Sequence, residues 1–197
     1  MITTTSTSLP NTFTTGSARQ LGFHPREIYA LRDSGEIVEL SRGVFRRSDA
    51  PLATYPDLLA VAYRAPTAIV CCVSAAVVYE MTDELPTSTQ IAVGTRSHPP
   101  QIDYPPATVF RFSEATFELG LTQVEAAPDE YVRIYDPARV VVDLMRLRHR
   151  LGETLAYSIL QRYLDRRDAR PTLLLDYAST LDVLGPTRRA LDIVLAE

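Results

Sequence analysis

The stretch at residues 13–47, FTTGSARQLGFHPREIYALRDSGEIVELSRGVFRR, decides the fold, and Gly22, Gly35 and Gly43 punctuate it. Thr14 or Thr15 can cap a short helix through residues 17–21, which Gly22 ends. His24 then stands at a cap position and Pro25 suits a first helical turn, predicting a second helix over 26–34 that Gly35 stops. Residues 36–40, a turn at Ser41-Arg42-Gly43 and residues 44–47 predict a β-hairpin. Short helix, tight turn, second helix and hairpin follow one another in the order of a winged helix-turn-helix.

Working outward, residues 1–10 are rich in Thr and Ser, without a basic start or an apolar run, and are expected to be a loose tail, not a signal peptide. Downstream, Ala50-Pro51 marks a joint, so a winged module over 1–52 and a second domain over 53–197 are expected. In that domain 56–64 reads as a helix and 69–73 as a buried strand, with Ser74 capping the helix that follows. Residues 90–94 and 108–112 read as strands, as do 121–125 and 131–135. Asp136-Pro137 opens a helix to about residue 150, and three more are expected at 153–166, 172–184 and 187–196. The fold class is therefore α+β: a small winged helix-turn-helix, then a mixed domain ending in a helical, bundle-like segment.

Composition narrows the chemistry. The 20 basic residues are all arginine, which argues against a P-loop, a standard kinase or a Schiff-base mechanism, each of which needs a lysine. The net charge of −4 confines any DNA contact to a local patch. His24, His98 and His149 lie far apart and no CxxC spacing occurs, so no metal site, cofactor or catalytic residue is expected. Cys71 and Cys72 are adjacent within an apolar run and predict two buried thiols in a reducing compartment. No apolar run is long enough to span a bilayer, and a cytoplasmic protein without membrane contact is expected.

Three segments resemble the AbiEi family of antitoxins, which belong to abortive-infection toxin–antitoxin systems. They are the 13–45 module with its Ser-Arg-Gly-Val-Phe hairpin, Val73-Ser74-Ala75-Ala76, and the run from Ile134 through Asp136-Pro137-Ala138-Arg139 to Asp143-Leu144. They occur in the family's order over about 130 residues. The resemblance implies the antitoxin of a two-gene pair whose toxin is nucleotidyltransferase-like. It also implies binding to repeats in the promoter of its own operon; a homodimer is expected if the chain binds DNA, because half-sites in inverted repeats mirror a two-fold axis. Two other readings remain open: a kinase-like antitoxin that phosphorylates its toxin, and a stand-alone winged-helix regulator.

Candidate DNA contacts come from the helical wheel and the hairpin. Ile28 and Leu31 share an inner face, leaving Arg26, Ala30 and Asp33 outward with Tyr29 beside them. Arg26, near the start of the second helix, could read guanine bidentately, and Tyr29 could reach a phosphate. Arg42 at the hairpin tip and Arg46 on its second strand fit phosphate anchoring by a wing. Within 13–47, six arginines face four carboxylates, so the local excess of positive charge is small. The resemblance marks Arg139 and Asp143 as candidates for toxin neutralisation. One helical turn apart, they also fit an ordinary intrahelical pair.

Overall fold

The computed structural model describes residues 9–194, and the chain divides into two compact units. The first takes the chain up to Thr67 together with Pro100–Ala107 and Glu125–Val132. The second takes Ala68–Pro99, Thr108–Val124 and the chain from Arg133 onward. The contacts therefore draw the division elsewhere than the expected point between 52 and 53.

The first unit is built on β1 (Thr12–Thr14), α1 (Thr15–Gln20), α2 (Pro25–Asp33), β2 (Ile37–Ser41) and β3 (Val44–Arg47), followed by α3 (Pro56–Arg64). Its sheet runs β1-β3-β2 with antiparallel neighbours, Phe13 opposite Phe45 and Val38 opposite Arg46. The module is of winged-helix type. Thr14 caps α1 in a reciprocal box with Ser17, and His24 caps α2 in one with Glu27. Phe13 and Phe45 stack at 5.8 Å over a core that includes Ala18, Phe23, Ile28, Leu31 and Ile37. Two features were not expected from the sequence. Strand β1 makes the hairpin's second strand the centre of a sheet, and Leu9, assigned to a loose tail, is buried in this core. The rest of that expected tail, residues 1–8, lies outside the described residues. α3 packs on β2 and β3, and the Tyr63 hydroxyl donates to the Thr12 carbonyl at 3.1 Å.

The second unit contains β4 (Ile69–Val70), α4 (Cys72–Val78), β5 (Thr89–Gly94), and most of β6 (Ala107–Phe112). β7 (Leu121–Ala127) and β8 (Glu130–Tyr135) follow, and their joined ends, Glu125–Val132, group with the first unit. The sheet order is β6-β5-β4-β8-β7, with β4 antiparallel to β5 and parallel to β8. The helices are α5 (Pro137–Arg146), α6 (Arg148–Leu151), α7 (Glu153–Leu164), α8 (Pro171–Thr180) and α9 (Leu184–Val194). α5 is central, packing against α4, α7 and α8, and the residues from Ala138 to Met145 are all buried. Asp136 caps it, accepting from the Arg139 N–H at 2.8 Å, with Pro137 in the first turn as expected. The helix does not run on to 150, because it breaks at Leu147 before the short α6.

Ser74 does not cap α4. The strand expected over 69–73 ends at Val70, and the helix begins at Cys72, where φ is +50°. A neighbouring strand supplies the cap: the Gln90 side-chain oxygen accepts from the Val73 N–H at 2.8 Å. Ser74 lies inside the helix and accepts from the Gln90 N–H at 2.9 Å.

Gly120 ties the start of α5 to the turn before β7. Its φ is +74°, and a Cβ there would lie 2.7 Å from Cβ of Arg139 and 3.0 Å from a carboxylate oxygen of Asp136. Both the backbone conformation and the buried helix resist any side chain. Gly120→Ala should cost about 2–4 kcal/mol, combining left-handed strain with overpacking. Urea unfolding measures it, and a midpoint within error of the parent would refute the close approach.

Candidate nucleic-acid interface

α2 is presented as the wheel predicts. Ile28 and Leu31 are buried, while Arg26, Glu27, Ala30 and Asp33 are exposed. The capping box uses the Arg26 backbone, not its side chain: the Arg26 N–H donates to Nδ1 of His24 at 3.2 Å, and the His24 N–H donates to Glu27 at 2.6 Å. The Arg26 guanidinium thus stands at the exposed N-terminal end of the helix. Asp33 brings a negative charge to this face; it accepts from Arg32 at 2.9 Å, and Arg32 also pairs with Glu39 at 3.3 Å. Arg32 offsets part of the Asp33 charge, while its sharing with Glu39 leaves the trio net negative. Tyr29 is 44% exposed, with its ring edge against Phe45 and the Arg32 guanidinium 4.9 Å above it. Part of the ring therefore serves packing.

Arg42 sits exposed at the hairpin tip. The tip is fixed by Gly43, whose φ is +74° and whose N–H donates to Glu39 at 3.0 Å. Arg46 is placed quite differently from the wing anchor expected of it. It is 7% exposed, paired with Glu130, and donates to the Thr12 hydroxyl and the Pro51 carbonyl. Sheet geometry explains this. Phe45 points into the helical core, so Arg46 points to the opposite face of a central strand, where Pro51 and Glu130, at the start of β8, meet it. Its donors are spent on structure.

Arg139 and Asp143 are fully buried in the second unit and paired at 2.9 Å. Nη1 of Arg139 donates to the carbonyls of Thr116 and Leu119, at 2.9 and 2.6 Å, and its guanidinium lies 4.3 Å from the Tyr135 ring centre. Arg146 closes the cluster with 2.9 Å to the other Asp143 oxygen and a 4.4 Å approach to the Phe112 ring. Burial pushes the Asp143 carboxyl above its usual range, against the pull of Arg139 and then Arg146. Burial likewise raises the Cys71 thiol, and both cysteines are free and buried, an environment that suits inert thiols. The Tyr177 hydroxyl, bonded to Asp136 at 3.0 Å, is pushed up to about 12 by burial and the adjacent carboxylate. The cluster is a joint between α5, the 114–119 turn and the sheet, in which Arg139 and Asp143 are sealed and Arg146 reaches partly to the surface.

Sequence reasoning missed Glu130, the partner of Arg46, because nothing local marks a contact 84 residues away. Arg146 was missed as well, although its spacing of three from Asp143 fits a pair on one helix face. Among the described residues no group of three or more His, Cys, Asp or Glu could hold a metal ion, and no helix is long and apolar enough to cross a membrane.

Residues 8–48 match the family described as "Transcriptional regulator, AbiEi antitoxin", a span that takes in β1, α1, α2, β2 and β3. Among solved structures, the RV2827C protein from Mycobacterium tuberculosis is similar over 94% of this chain and 76% of that one, with a TM-score of 0.57 and 19% identity. That likeness concerns the fold. No curated protein matches the chain.

Proposed function

We propose that this chain, which carries an AbiEi antitoxin module of transcriptional regulators at residues 8–48, is the antitoxin of a toxin–antitoxin pair and represses the promoter of its own operon. The toxin is nucleotidyltransferase-like, and two copies of the chain bind inverted repeats. The observation that carries the reading is a coincidence of boundaries. The segment matched to the family is the same segment that folds into the three-stranded winged module, with the outer face of α2 exposed. Arg26 reads a base edge, Tyr29 reaches a phosphate, and Arg42 anchors the wing. Neutralisation belongs to the second unit, where Arg139 and Asp143 act from inside by holding α5 in place.

Co-expression with the product of the neighbouring gene tests the antitoxin role directly. The chain should restore growth that this product alone arrests, and a neighbour that is harmless, or whose toxicity persists, overturns the proposal. For the regulatory half, Arg26→Ala should weaken binding to the upstream DNA by about 1–3 kcal/mol and relax the preference for that sequence over a scrambled duplex. Fluorescence anisotropy at fixed salt reads both. Growth rescue should survive the substitution, because it leaves the second unit untouched.

A further inference from the structure

We infer that the DNA-contacting wing extends beyond the family-matched segment: Arg64 on α3 and Tyr104 in the Pro100–Ala107 loop join Arg42 in a phosphate-binding surface at the hairpin tip. The inference rests on the DNA-binding reading above and adds residues to it. Three segments far apart in sequence meet there, all within the first unit. Arg64 donates to the Arg42 carbonyl at 3.3 Å and to the Gln101 carbonyl at 3.0 Å. The Ser41 hydroxyl, at the end of β2, donates to the Tyr104 carbonyl at 2.5 Å. The tip is therefore braced on two sides, and an anchor that is already ordered loses less entropy on binding.

The chemistry of the exposed groups fits phosphate. Arg64 is exposed and bonds only neutral carbonyls here, so no carboxylate among these contacts cancels its charge. Arg42 is exposed beside it, and Tyr104 is 63% exposed, a large side chain with a hydroxyl donor left on the surface. The nearby Glu39 carboxylate accepts from the Gly43 N–H and shares Arg32 with Asp33. Asp103, exposed in the same loop one residue before Tyr104, carries a charge that opposes phosphate. Phosphate contacts of this kind set register and affinity without reading sequence.

The test uses the full chain and a short fluorescein-labelled duplex from its own upstream region, with anisotropy followed across a salt series. Arg64→Gln should weaken binding roughly threefold to tenfold and lower the slope of log affinity against log salt by about 0.9, the loss of one phosphate contact. Arg64→Lys keeps the charge and should keep the slope. Tyr104→Ala should weaken binding about threefold with the slope unchanged, because it removes a neutral donor. Asp103→Asn should strengthen binding. An Arg64→Gln variant that melts early leaves Tyr104 and Asp103, both exposed, to decide the matter. Wild-type binding with a clear salt slope, combined with neutral effects at Arg64, Tyr104 and Asp103, overturns the extended wing alone. Equal losses for Gln and Lys at 64 make Arg64 a brace and overturn it too. Absence of salt-dependent binding by the wild type overturns the DNA reading itself.

Discussion

Arg139→Met should lower the unfolding free energy by about 3–5 kcal/mol, the usual cost of removing one partner from a buried ion pair. Methionine fills much of the volume, so the loss reports on charge and hydrogen bonding more than on a cavity. The substitution strips the Thr116 and Leu119 carbonyls of their donor and removes the cation from the Tyr135 ring. It also leaves the fully buried Asp143 with Arg146 as its remaining counter-ion. The pH dependence carries a definite sign. Burial already raises the Asp143 carboxyl above its ordinary 3.8, and Arg139 is the larger of the two charges holding it down. Without Arg139 the folded-state value rises further. A raised folded value means stability is fully present below the unfolded value and is lost as pH climbs through the folded one. The variant should therefore be closest to wild type near pH 4 and furthest from it at neutrality. Adding Asp143→Asn should remove that slope. Urea denaturation across this range measures both effects, and a pH-independent deficit would mean that Asp143 is not the group left stranded.

The same cluster shows what the sequence could and could not reveal. The spacing of Arg139 and Asp143 predicts a local pair, and the pair forms. Spacing cannot show that the pair is sealed beneath Phe112 and Tyr135, because β6 and β8 deliver those rings from elsewhere in the chain. The winged module was legible almost residue by residue, since caps, glycines and a turn are local signals with local causes. Strand β1 was not. Three residues give no period to read, and Thr12–Thr14 becomes a strand only because β3 offers it an edge. The cap of α4 failed for a similar reason: Ser74 has the right chemistry for a cap, but Gln90 from a paired strand occupies the position first.

Arg46 is where that unseen strand alters a functional expectation, and it yields the second large effect. Arg46→Met should destabilise the first unit by about 2–4 kcal/mol, since it leaves the Thr12 hydroxyl, the Pro51 carbonyl and the Glu130 carboxylate without their shared donor. A wing anchor and a buried strut make opposite predictions, and a single pair of variants separates them. As a strut, Arg46→Met lowers the melting temperature, yet well below that melt it leaves the salt slope of DNA binding unchanged, because no phosphate contact has gone. Arg42→Ala at the exposed tip should do the reverse, holding stability within about 0.5 kcal/mol and lowering the slope by about 0.9. Calorimetry and a salt series on the same two proteins give the comparison. If Arg46→Met flattened the slope while leaving the melt in place, the guanidinium would be reaching DNA after all, and the inward-facing register of β3 would be wrong.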